Sequence, residues 1–273
     1  MNATTKANPE VKPETESNTE SPLLELKQVS TIVNAHTSNE TKILNNLNLT
    51  IYPGDFITVL GSNGAGKSTL FNVIGGNLNA DEGDVLLHGK SIKRESEEQR
   101  TRFLARVFQD PKLGTAPRMT VAENLLLASK RGHRRGLVPR GLRQHMAEYK
   151  QMASTMNNNL ENRLNTATGS LSGGQRQALS FLMAVESKPE LLLLDEHTAA
   201  LDPKTSQQLM TATNDRIAAD HLTCLMITHR LEDALKYGNR LIVLNAGRIT
   251  YDVRGEEKKQ LTREQLFNFF EEL

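Results

Sequence analysis

The stretch Gly61-Ser-Asn-Gly-Ala-Gly-Lys-Ser-Thr69 constrains this chain more than any other. It fits G-x-x-x-x-G-K-[ST], a loop whose glycines let backbone N–H groups turn inward around phosphate oxygens without Cβ clashes. Gly61, Ser62, Asn63, Gly64, Ala65 and Gly66 form the cradle. Lys67 supplies a point charge for β- and γ-phosphates, the Ser68 hydroxyl can ligate Mg2+, and Thr69 continues into a helix. Leu70, Val73 and Ile74 keep helical spacing, which brings the positive N-terminal end of that helix to the same phosphates. A chance match in a glycine-rich turn arises in about 1% of chains of this size. Here Phe56-Ile-Thr-Val-Leu60 reads as a strand directly before the loop, and strand, loop and helix together speak against chance.

Later apolar runs, Leu191–Leu194, Leu222–Ile227 and Leu241–Leu244, each alternate with a plausible helix, which implies an α/β fold with a mainly parallel sheet covered by helices. Leu24–Val29 and Leu47–Ile51 alternate apolar and polar residues as half-buried strands do, and Pro53-Gly54 makes a turn. Between about 112 and 168 the texture turns helical and polar, with helices expected over Val121–Lys130 and Gln144–Leu164 and only a weak interruption at Asn157–Asn159. This region reads as a helical insertion standing off the sheet. A last helix is expected at Leu261–Phe270, with Leu261, Gln265 or Leu266, and Phe269 on one face. Met1–Pro22 has almost nothing apolar and reads as a disordered tail before the folded region 23–273.

Two further motifs carry chemistry. Leu191-Leu-Leu-Leu-Asp-Glu196 is an apolar strand ending in acids; beside a phosphate loop, Asp195 suits Mg2+ coordination and Glu196 suits proton acceptance from an attacking water. In Leu171-Ser-Gly-Gly-Gln175, Ser172 can cap a helix running through Leu179 and Leu182, and Gly173 and Gly174 permit close backbone approach to a second anion.

Composition excludes several classes. A formal net charge of +1 gives no global pull toward nucleic acid. The lone Cys224 cannot form an internal disulfide and sits in an apolar strand, where core packing accounts for it. No apolar run approaches the ~18–20 residues of a membrane helix, and the N-terminus has no signal-peptide h-region. A cytosolic chain is expected.

With these motifs in this order, residues from Leu23 onward resemble the ATPase subunits of ABC transporters; Leu171–Gln175 matches that family's signature. The resemblance implies a P-loop NTPase (RecA-like) core, an antiparallel β subdomain and an α-helical insertion carrying the signature. It matches Gln109 to the Q-loop glutamine that touches Mg2+ and the attacking water, Ala199–Asp202 to the D-loop, and His229 to the switch histidine at the γ-phosphate. It implies catalysis by Glu196, His229 and Gln109, and metal binding by Ser68, Gln109 and Asp195. ATP is held by residues 61–69 and by Ser172, Gly173, Gly174 and Gln175 of a second copy. The implied assembly is a homodimer of ATPase subunits on transmembrane permease subunits at the cytoplasmic face of the membrane, with an extracytoplasmic solute-binding protein and no nucleic acid.

Two departures from the family pattern stand out. Val33 falls where an aromatic residue usually stacks on adenine, with His36 a nearby substitute and Tyr52 read as a strand-end residue. Loss of such a stack costs about 1–3 kcal/mol. His197 follows the catalytic glutamate where many members have proline. Asp195–Pro203 and Phe108–Pro117 resemble a narrower group, importer ATPases of the tryptophan or aromatic amino-acid type. The basic run Arg131–Gly136, with Arg140 and Arg143, reads either as a solvated loop or as a contact to permease loops or anionic headgroups. Rival readings share parts of this pattern. An exporter ATPase shares every motif. Translation factors of the family carry two cassettes where this chain has one, and chromosome-maintenance ATPases need a long coiled coil that is absent here.

Overall fold

In the computed structural model, residues 21–33, 40–131 and 141–271 are described, with side chains described up to 267. Most of the expected N-terminal tail, His36 and the basic residues 133–140 lie outside them, as does the side chain of Phe269.

The strands are β1 (Leu24–Val33), β2 (Thr41–Ile51), β3 (Phe56–Leu60), β4 (Glu82–Leu87), β5 (Lys90–Ser91), β6 (Leu104–Val107), β7 (Leu191–Asp195), β8 (Thr223–Ile227), β9 (Arg240–Asn245) and β10 (Arg248–Arg254). They form a 4-stranded sheet of order β2-β1-β4-β5, antiparallel throughout, and a 6-stranded sheet of order β10-β9-β3-β8-β7-β6. The larger sheet is parallel except for its edge strand β10. Its strands are apolar almost without break because helices cover both faces. Alternation still sorts them: Leu191, Leu193, Leu225 and Ile227 join one buried cluster, while Leu192, Leu194, Cys224 and Met226 join the other. Cys224 is wholly buried, as core packing requires.

The first cluster is filled by Leu70, Phe71 and Ile74 of α1 (Lys67–Gly75) and by the inward faces of β1, β2 and β4, so one core ties the phosphate loop to both sheets. A short α2 (Glu97–Arg100) ends in Arg100, which donates to the carbonyls of Val73, Ile74 and Ile92 and so closes the C-terminal end of α1.

The helical region contains α3 (Val121–Ala128) and α4 (Leu142–Ser154), followed by α5 (Gly173–Val185). Its apolar residues, among them Leu125, Tyr149, Ala153 and Leu160, share a buried cluster with Leu179 and Leu182 of α5 and with the sheet. The insertion is therefore continuous with the sheet's core through α5, where the sequence suggested a body standing off it. The helix expected over Gln144–Leu164 stops at Ser154. Asn157 (φ 53°) and Asn159 (φ 66°) adopt left-handed backbone, which asparagine tolerates and a helix cannot continue through.

The remaining helices are α6 (Pro203–Asp220), α7 (Leu231–Lys236), α8 (Gly255–Gln260) and α9 (Arg263–Glu271). Leu266 of α9 is fully buried beside Leu60, Leu241 and Val243, as its helical face implied. Among the described residues no helix is long and apolar enough to cross a membrane.

Candidate nucleotide site

The loop 61–66 joins the end of β3 to α1, so its position is set by the centre of the sheet. Gly66 caps α1 in left-handed backbone (φ 103°), and a Cβ there would lie 3.0 Å from Leu44 and 3.2 Å from the Ile43 carbonyl. Both conformation and space demand glycine. No side chain caps α1, so its leading N–H groups stay available to an anion. Lys67 is buried, and its Nζ donates to the carbonyls of Gly61 (2.7 Å) and Ser62 (2.9 Å). Burial pushes its ammonium below the usual lysine range, while Glu196 and Asp195 pull it back up. Ser68 is exposed at the start of the helix.

Asp195 and Glu196 end β7, beside β8 and the segment that follows it. Glu196 adopts left-handed backbone (φ 46°), held by its N–H donating to the Ile227 carbonyl at 3.1 Å. Strain of this kind is retained where it aims a functional group. Here it brings Oε1 of Glu196 to 2.5 Å from Nε2 of His229, with the glutamate side chain 15% exposed and the histidine 44%. A carboxylate held by an imidazole N–H at the mouth of a phosphate loop can orient a water and accept its proton. Lys67, the pair Asp195–Glu196 and His229 thus converge from three separate chain segments.

Ser68, Asp195 and Gln109 offer hydroxyl, carboxylate and amide oxygens, the hard donors that suit Mg2+. Among the described residues no group of three or more His, Cys, Asp or Glu could hold a metal. Gln109 is exposed just past β6, and its neighbour's carbonyl, on Phe108, accepts from Nε2 of buried Gln177 on α5 at 3.1 Å. Gln177 therefore couples the Gln109 segment to the helix that Ser172 begins. Sequence spacing gave no sign of it.

Ser172 caps α5 in a full capping box: its Oγ accepts from Gln175 N, and Gln175 Oε1 accepts from Ser172 N. Gln175 also donates to the Asn158 carbonyl at 3.1 Å. Gly174 is where α5 crosses α6, since a Cβ would lie 2.4 Å from Thr205 Cγ2. Asp202 caps α6 by accepting from Thr205 N at 3.1 Å, ahead of Pro203. Among the described residues no hydrogen bond joins 172–175 to 61–69.

Val33 is half-buried at the end of β1, opposite Thr41. Tyr52 lies under the Arg254 guanidinium, 5.8 Å from ring centroid, a strand-end packing contact. His197 is buried, with Nε2 3.4 Å from Thr213 Oγ1, and burial pushes its imidazole down to about 4. It directly follows Glu196 in the chain and is packed into the interior. Arg131, the first residue of the basic run, donates to the Met183 and Ala184 carbonyls at the end of α5; it is a structural clamp and does not reach outward.

The ABC transporter family matches this chain over residues 44–199. The chain belongs to that family. It is 41% identical over 249 residues to a tyrosine transport ATP-binding protein of Clostridioides difficile (strain R20291), covering 91% of this chain and 99% of that protein. It is 36% identical to a phosphonates import ATP-binding protein of Alcaligenes faecalis, covering 79% of this chain and 78% of the other. An ATP-binding cassette solved as a dimer in a post-hydrolysis state with ADP and Pi superposes with a TM-score of 0.72 at 26% identity, covering 85% of this chain and 98% of that one. An ABC transporter cassette in its ADP conformation gives 0.74 at 27%, covering 92% and 97%. The protein is thus an ATP-binding, ATP-hydrolysing subunit of an ABC transporter, with the P-loop α/β fold of its relatives.

Proposed function

We propose that this ABC subunit energises import of an aromatic amino acid, as a homodimer on the cytoplasmic face of a separate permease served by an extracytoplasmic solute-binding protein. The observation that carries the chemistry is the 2.5 Å contact between Glu196 and His229 beside Lys67 and Asp195. The relative named for tyrosine transport, aligned along nearly its whole length, supports the solute class.

In this reading residues 61–69 wrap the phosphates, with Lys67 Nζ leaving two backbone carbonyls for phosphate oxygens. Ser68, Asp195 and Gln109 hold Mg2+, which when bound neutralises phosphate charge and orients the chain's donors. Glu196 accepts the proton of the attacking water, and His229 keeps its carboxylate aimed while its exposed edge meets the γ-phosphate. Ser172, Gly173, Gly174 and Gln175 of a second copy close the site from the other side. ATP binds the closed dimer better than the open one, and that difference is what can move the helical region and a permease upon it.

The test is uptake of labelled tyrosine, phenylalanine and tryptophan by source cells carrying the native gene or Lys67→Ala at equal expression. Loss of uptake in the variant is expected. Normal uptake of all three would overturn the aromatic amino-acid assignment while leaving the ATPase untouched.

A further inference from the structure

Arg106 lies on β6, parallel to β7 and in register with Leu193. Its side chain reaches the end of β7, where NH2 donates to Asp195 Oδ2 at 2.6 Å, while NH1 donates to Asn72 Oδ1 on α1 at 2.8 Å. The rings of Phe108 and Phe71 flank the guanidinium, 5.0 and 5.9 Å from their centroids. Arg106 and Asp195 are only 11% and 15% exposed, so solvent screens the pair poorly. One residue thus touches the phosphate-loop helix, the metal-side carboxylate and the strand that leads into Gln109.

Packing alone does not explain this arrangement. Arg100 and Arg131 donate only to backbone carbonyls, and the buried Arg240 pairs with Asp55 and Asp252 at the opposite end of β3 from the phosphate loop. Arg106 instead directs both terminal nitrogens at side chains of the site. Its charge is permanent. Asp195 therefore sits between two cations, since Lys67 also feels it. One carboxylate oxygen is taken by the guanidinium and the other is left to face a metal or its waters. A divalent cation there meets a carboxylate whose charge is already largely answered, with a guanidinium just behind it.

We propose that Arg106 is a positioning residue that fixes Asp195 by one oxygen and weakens its hold on the divalent cation, so that metal is bound chiefly together with nucleotide and leaves with it. This rests on Asp195 being a metal-holding residue.

The test is Mn2+ binding to the full-length, ADP-loaded protein, read by electron paramagnetic resonance, alongside ADP affinity in EDTA and the melting temperature. Arg106→Met should tighten Mn2+ on the order of tenfold, because a charge of the metal's own sign has been removed. ADP affinity in EDTA should stay within about threefold, since no nucleotide contact is altered. Arg106→Lys, which keeps the charge, should behave like the native protein. With Asp195→Asn in place, Arg106→Met should change Mn2+ affinity much less, because only the direct repulsion remains and the share that runs through the carboxylate is gone. Unchanged or weakened Mn2+ binding in Arg106→Met overturns the proposal. So does a loss of melting temperature and EDTA-state ADP affinity without a metal effect, which would leave Arg106 a packing brace. If Asp195→Asn alone leaves Mn2+ binding unchanged, the metal role of Asp195 fails, and the Arg106 proposal falls with it for that separate reason.

Discussion

The two helix N-termini proposed to meet anions are built differently. At α1 the cap is a left-handed glycine with no side-chain acceptor, and Lys67, Asp195, Glu196 and His229 gather around it. At α5 the cap is a complete Ser172–Gln175 box, tied further to Asn158, and among the described residues no acid or base of the proposed catalytic group is bonded to it. The first leaves its N–H groups to a ligand and surrounds them with chemistry. The second satisfies much of its own need and presents a finished surface. That asymmetry is what a site shared between two copies requires: one end does the chemistry and the other recognises it.

Removing the acid at the first end should have the largest effect. Glu196→Gln keeps the size and the left-handed backbone position but cannot accept a proton, so hydrolysis should fall about 10²–10⁴-fold with ATP affinity retained. Size-exclusion chromatography with Mg-ATP should show a persistent dimer. Native turnover would remove the chemical half of the contrast.

The second half is tested by mixing. Lys67→Ala disables the α1 end, and Ser172→Arg disables the α5 end. Each alone should be inactive. In a random mixture about half the dimers carry one of each, and every such dimer retains one intact shared site, so about a quarter of native turnover should return. A mixture as inactive as its parts would mean that each chain uses its own signature.

Much of this contrast was legible in the sequence, because both ends depend on contiguous residues. The loop 61–69, the strand ending at Asp195 and the cap at Ser172 are local patterns, and local physics suffices to read them. What escaped was long-range. Arg106 reads as a charge interrupting an apolar strand until Asp195, 89 positions later, is placed beside it. Gln177 reads as a polar helix residue until Phe108 arrives 69 positions away. Arg131 joined a basic run by composition, yet its partners are carbonyls freed at the end of α5, which no charge count reveals. The asparagines at 157 and 159 were visible, but whether they would bend or end the helix depended on backbone angles.

His197 sharpens the comparison on a smaller scale, because it is buried and directly follows Glu196 at the first end. Its imidazole is held near 4 by burial, against 6.5 when the chain unfolds. The group therefore favours folding fully above about pH 6.5 and loses that contribution as pH falls toward 4. The full loss is about 3 kcal/mol. Urea titrations at pH 7 and pH 4.5 should show the native protein losing more stability than His197→Asn, with the difference concentrated in that window. Parallel losses in both proteins would mean that the histidine is solvated rather than packed in the interior.

The smallest expected effect comes from the α5 end, and it separates the two jobs of Ser172. Ser172→Ala removes an exposed cap and should cost about 1 kcal/mol of stability, read as a small fall in urea midpoint. Ser172→Asp restores an acceptor for the Gln175 N–H and should restore that stability, since aspartate caps as well as serine. It also places a negative charge where the second copy's phosphate must approach, so dimer formation with ATP should fail in a protein of native stability. If Ser172→Asp dimerises and turns over normally, the α5 end is only a well-capped helix. If stability returns while the dimer does not, the cap and the recognition surface are two properties of one hydroxyl.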